Sequence, residues 1–73
     1  MNSQRFLTLN DVAEILNISM SQTRALVRTG ELPAIQIGGR QQWRVEREEL
    51  ENYIRRGYAR TAESIRAQGH SQQ

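Results

Sequence analysis

Arg24, Arg28, Arg40 and Arg44, with Gln22 and Gln42 among them, are the side chains of this chain best suited to recognising a partner. A guanidinium is a planar fork that meets a phosphate or the edge of guanine through two parallel hydrogen bonds, and a glutamine amide meets adenine in the same way. Bond-making chemistry has much less to work with. The single histidine, His70, stands in a polar tail without a nearby acid, and the chain has no cysteine, so neither a catalytic triad or dyad nor a metal site finds partners. Glu46, Glu48, Glu49 and Glu51 resemble paired carboxylates only superficially, because in the first turn of a helix they spread around the axis and complement its dipole. Gly38 and Gly39 precede a strand rather than a helix with a lysine, so they do not form a phosphate-binding loop. No catalytic, cofactor-binding or metal-binding residue is expected, and no cofactor.

The chain has 73 residues and a formal net charge of +2, with ten arginines, no lysine and eight acids. One small domain fits this length, and a sizeable enzyme cleft does not. A bias toward GC-rich codons accounts for the missing lysine; binding accounts better for where the arginines sit. The acids gather at residues 46–51, whereas Arg24, Arg28, Arg40 and Arg44 lie in the preceding part, so a weak net charge conceals a basic face. No apolar run is long enough to cross a bilayer, and the first residues lack the layout of a secretory signal. A soluble, cytoplasmic chain is the expectation.

These side chains need positioning elements, and the sequence supplies them in order. Residues 1–7 read as an amino-terminal arm, polar and frayed over Met1 to Arg5. Thr8 and Asp11 form a capping-box start, and Leu9, Val12, Ala13 and Leu16 follow helical spacing, predicting a helix over 9–16. Asn17 suits the left-handed residue that ends it, with Ile18 plugging the corner. Ser19 and Gln22 make a second capping box for a helix running to about Thr29 with Leu26 and Val27 inward, and Gly30 closes it. Ile35 and Ile37, then Trp43 and Val45, alternate with polar residues and predict a hairpin with these four facing the core. Gly38 and Gly39 allow its tight connection, leaving Arg40 and Gln41 near the tip. A third helix begins near Glu46 or Arg47, buries Leu50, Tyr53 and Ile54, and stops at Gly57. Tyr58, Ala62 and Ile65 recur at helical spacing and are compatible with a short fourth helix over 58–67, followed by a disordered tail over 68–73. The class is mainly α with a small β-hairpin, a winged helix-turn-helix in the order helix, helix, strand, strand, helix, with its domain over 8–57.

In such a fold the second helix offers its outer face to a major groove. Ser21, Gln22, Ala25 and Arg28 face outward there, with Arg24 at the flank. Other roles stand beside these: Gln22 closes the capping box equally well, Arg24 can pair with Glu31 or an acid of the first helix, and Arg28 suits the negative helix end. Met20 reads as a core gap-filler and Thr23 as an inward near-isostere of valine. Arg40 at a glycine-containing tip can lie along phosphates or enter a narrow minor groove, or can simply solubilise the loop. Arg44 and Gln42 share the outward face of the second strand, and Trp43 reads as core.

Leu-Thr-Leu-Asn-Asp-Val-Ala-Glu-Ile-Leu-Asn-Ile-Ser (7–19), Gly-Glu-Leu-Pro-Ala (30–34), and Trp-Arg-Val with Glu-Glu-Leu-Glu-Asn-Tyr-Ile (43–45 and 48–54) resemble the excisionase-type helix-turn-helix domains of the MerR superfamily. That group includes phage and plasmid excisionases and small BldC-like regulators. The resemblance covers Leu9 to Arg55 and implies a winged domain whose second helix enters the major groove of double-stranded DNA while the wing grips backbone or minor groove. It also implies loss of the long coiled coil and effector domain of full MerR regulators, and head-to-tail self-association on direct repeats with bending of the DNA. Relatives often carry basic residues where Met20 and Ser21 stand, threonine in place of Gln22 and arginine in place of Ala25, which shifts weight toward Arg24, Arg28 and the wing. Three roles follow as expectations: a regulator working with RNA polymerase, an excisionase working with an integrase, or a protein-interaction module using Tyr58 to Ile65 and the wing. No membrane role is expected.

Overall fold

The computed structural model describes residues 5–39 and 42–72, with side chains described as far as residue 68. Met1 to Gln4, Arg40 and Gln41 lie outside the described residues, as do the expectations placed on them, and so does the side chain of His70. The elements run β1 (Phe6–Thr8), α1 (Leu9–Leu16), α2 (Met20–Arg28), β2 (Ile35–Ile37), β3 (Gln42–Glu46) and α3 (Arg47–Gln72). A three-stranded antiparallel sheet in the order β1-β3-β2 packs against the helices, so the fold is mainly helical with a small sheet, a winged helix-turn-helix. Among the described residues no helix is long and apolar enough to cross a membrane.

Local chemistry sets both helix starts. Thr8 Oγ1 accepts from the Asp11 amide while the Asp11 carboxylate accepts from the Thr8 amide, and Ser19 and Gln22 repeat the exchange at α2. Each reciprocal pair satisfies two amides that a helix end would otherwise leave without partners. Between the helices, Asn17 takes the left-handed conformation at φ 58 and ψ 50. The Ile18 amide donates to the Ala13 carbonyl at 3.0 Å and that of Asn17 to Glu14 at 3.2 Å, the double closure of a Schellman turn.

The core joins every element except β2. Leu7, Leu9, Val12, Val27, Leu32, Val45 and Leu50 are buried together, and Leu16, Met20, Leu26, Trp43, Tyr53 and Ile54 pack partly buried around them. Thr23 is fully buried as expected, and its hydroxyl donates to the Ser19 carbonyl at 2.9 Å, which removes the penalty of an unpaired polar group.

Three expectations are corrected. The first concerns the amino-terminal arm, because Phe6 and Leu7 belong to the sheet. Phe6, Leu7 and Thr8 pair with Glu46, Val45 and Arg44, and the Arg47 amide donates to the Arg5 carbonyl at 2.8 Å. Leu7 is almost wholly buried, and its burial holds the strand in place.

The second correction concerns the hairpin face. Ile35 pairs with Arg44 and Ile37 with Gln42, and directly paired residues share a face, so the isoleucines stand on the outer side with those polar side chains. They are 50% and 44% exposed. Ile37 and Gln42 are separated by an even number of residues, and that parity places the isoleucines opposite Trp43 and Val45. Val45 sits beside Leu7 in the core and decides which face turns inward.

The third correction concerns the end of the chain. Gly57 is not a stop, no separate fourth helix forms, and residues 68–72 are helical, since α3 is one helix of 26 residues. A stop at glycine needs positive φ, which Gly30, Gly38 and Gly39 adopt and Gly57 does not. Arginine, alanine and glutamate surround Gly57 without a proline, and their helix preference outweighs a glycine penalty of about 1 kcal/mol. A Cβ built at Gly57 would meet nothing within 4 Å. Gly57→Ala is therefore expected to stabilise the fold by about 0.5–1 kcal/mol, read as a rise of a few degrees in the thermal midpoint; an unchanged or lower midpoint would show that α3 bends there.

Candidate nucleic-acid interface

Helical periodicity divides α2 cleanly. Thr23 and Val27 are buried and Met20 and Leu26 partly so, whereas Ser21, Gln22, Arg24, Ala25 and Arg28 are all exposed. Ser21, Ala25 and Arg28 follow one another at spacings of four and three and form the outermost row, with Gln22 and Arg24 on opposite flanks. The row is straight because two caps and one left-handed residue fix where α2 starts. Packing of α1 against α2 through Val12, Leu16 and Val27 fixes its tilt.

The flanking residues differ in what they have free. Gln22 Oε1 accepts from the Ser19 amide at 3.2 Å and lies 3.4 Å from Ser19 Oγ, so the capping role foreseen for it is formed. Bidentate pairing with adenine needs both amide atoms and therefore competes with the cap. Arg24 and Arg28 form no hydrogen bond or ion pair with another described residue. The alternative pairing of Arg24 with Glu31 is not made. Arg56 donates to the Glu31 carbonyl at 3.3 Å, and Arg60 approaches its carboxylate at 3.9 Å. Both guanidinium forks of α2 are thus presented to solvent next to a row of small side chains, which lets a polyanion approach the helix closely.

The wing is anchored on its inner side and open on its outer side. Trp43 is half-buried against the core, as expected of a structural aromatic. Arg44 and Gln42 do share the outer face, with Ile35 and Ile37 beside them. Gln42 is exposed, while Arg44 is half-buried and its Nη1 donates to the Trp43 carbonyl at 2.9 Å, which ties the guanidinium down along β3. Gly38 and Gly39 have φ of 75° and 118°, so the chain turns where only glycine does so without strain. Arg5, which was read as part of a frayed segment, pairs with Glu46 at 2.9 Å and lies over the Phe6 ring at 5.6 Å. Among the described residues no three His, Cys, Asp or Glu side chains converge as a metal site would require.

The family described as a helix-turn-helix domain matches residues 6–58, from the first residue of β1 to the point where α3 leaves the core. The chain belongs to this helix-turn-helix family. No individual curated protein and no solved structure is a significant match. Membership makes this a small helix-turn-helix DNA-binding domain, with α1 and α2 as its two-helix unit. Within that domain, the predicted residues Ser21, Gln22, Arg24, Ala25 and Arg28 fall on one exposed face of α2. Gln42 and Arg44 fall on the outer face of the wing, and Arg40 lies outside the described residues. Ile35 and Ile37 are surface residues that periodicity alone does not place; their pairing with Arg44 and Gln42 does.

Proposed function

We propose that the chain is a sequence-specific DNA-binding protein acting as a small transcriptional regulator. Its α2 enters the major groove, and the wing, together with Arg40, follows the backbone or minor groove. One observation carries the reading: Arg24 and Arg28 flank and end an exposed row of small residues on α2 without an acid to neutralise them. Placement with the excisionase-type domains of the MerR superfamily, cooperative head-to-tail binding on direct repeats and a cytoplasmic, nucleoid-associated location belong to the same proposal. An excisionase that bends DNA for an integrase would use the same surfaces.

The test is affinity for DNA fragments as a function of salt. Log affinity should fall linearly with log salt, and Arg40→Ala should weaken binding across sequences while reducing the slope by about 1. Salt-independent binding would remove DNA as the main partner. Genome-wide immunoprecipitation then separates the two roles: occupancy at many promoters marks a regulator working with RNA polymerase, and a single site beside an integrase gene marks an excisionase.

A further inference from the structure

The family match ends at residue 58, yet α3 continues to Gln72. At about 1.5 Å per residue the helix projects well past the core, in a molecule with extents of 53 × 28 × 17 Å. Residues 58–68 are all exposed, and near the start of this half Arg60 approaches the Glu31 carboxylate at 3.9 Å. An unpacked helix of this length is marginal in water, and most helical stability in proteins comes from burial of an amphipathic face.

Such a face is present. Tyr58, Ala62 and Ile65 fall at spacings of four and three along one side of α3, with Tyr58 76% and Ile65 62% exposed. They do not continue the buried stripe of Leu50, Tyr53 and Ile54, since the positions that prolong that stripe are Thr61, Ser64 and Gln68. Arg55 and Arg66 border the apolar line on the same flank. From Ile54 to Gln68 the helix carries four arginines and one glutamate. That glutamate, Glu63, is 3.8 Å from Arg66, and both are largely exposed.

We propose that the projecting half of α3 is a docking face for an acidic amphipathic helix of a partner protein. Its apolar side covers Tyr58, Ala62 and Ile65, and its carboxylates meet Arg55 and Arg66. Charge weighs against a second copy, because two such helices side by side bring four arginines each together with a single glutamate each, Glu63, already beside Arg66. The apolar area is also small. Two large side chains fall well short of the roughly 800 Å² per partner of a stable interface, so opposite charge must supply much of the attraction, and the contact is weak, salt-sensitive and reversible.

Two synthetic three-heptad peptides test this against the full chain by fluorescence anisotropy, both with leucine at the two core positions, one with glutamate and one with lysine elsewhere. The acidic peptide should bind at least about tenfold more tightly than the basic one and weaken as salt rises. Tyr58→Ala with Ile65→Ala should abolish the preference; both positions are exposed and alanine is the best helix former, so the fold is retained, as circular dichroism would verify. DNA affinity of that double variant should stay within about twofold of the parent, since no apolar contact is lost to a phosphate backbone. The proposal is overturned if neither peptide binds, if both bind equally, or if the chain alone sediments as a dimer that Ile65→Ala dissolves. A fall in DNA affinity in the double variant would instead assign the face to nucleic acid.

Discussion

Leu32→Ala is expected to cost about 2–5 kcal/mol of stability, the range for emptying a fully buried leucine site. A domain of this size has only about 0.05–0.15 kcal/mol per residue to lose, so the substitution removes a large share of its total stability and lowers the thermal midpoint markedly. Leu32 has no exposed surface, and the reason is positional. It follows Gly30, whose φ of 85° turns the chain out of α2, and its amide donates to the Leu26 carbonyl at 3.1 Å, which aims the side chain back beneath the helix. There it meets the cluster shared by β1, α1, α2, β3 and α3, so a cavity at this point loosens these elements together. Thermal and urea denaturation would measure the loss. Leu32→Met keeps the volume and should cost less than about 1.5 kcal/mol. Equal losses for both variants would mean that shape, not volume, controls the site.

Replacing Arg24 and Arg28 together by alanine is expected to reduce DNA affinity by at least about thirtyfold at low salt, each fork being worth about 1–3 kcal/mol. The slope of log affinity against log salt should shrink by up to about 2 if both meet phosphates. Lysine variants separate the two kinds of contact. Arg28→Lys keeps the charge but loses the planar fork, so a phosphate contact survives and a guanine contact fails at one position of the site. Arg28 also lies in the last turn of α2, where a cation is worth about 0.3–1 kcal/mol to the helix. Thermal midpoints of each variant distinguish that modest structural loss from the binding effect. Full affinity in the double alanine variant would shift the interaction to the wing.

Much of this arrangement was legible because it is local. Thr8 with Asp11, Ser19 with Gln22, and Asn17 between them announce two capped helices within residues 8–22. The outward row of α2 follows from 3.6-residue periodicity once Val27 is placed inward. What could not be read depends on distant partners. Phe6–Thr8 is too short to show alternation, and Leu7 gains its place only because Val45 lies across from it. Leu32 stands alone between Gly30 and Pro33 in a stretch with the composition of a turn. Ile35 and Ile37 alternate as expected, but a period-two pattern does not say which side is inward; pairing with Arg44 and Gln42 does. Gly57 carries the signature of a helix end, and the residues on either side of it override that signature. On the site, periodicity identifies exposed candidates, while the engagement of Gln22 by its cap and the idleness of Arg24 and Arg28 required coordinates.

Thr8 closes β1 and caps α1 with no residue between the two roles. Since β1 is also paired to β3, the central strand of the wing, the wing and the two-helix unit share a joint that has no slack. Such a joint ties the spacing between α2 and the wing to the fold itself. Whatever spans α2 and the wing must therefore present its own features at a matching interval, so the fold measures as well as grips. Lengthening the Thr8–Leu9 junction by a single residue would change the gauge without altering either contact surface.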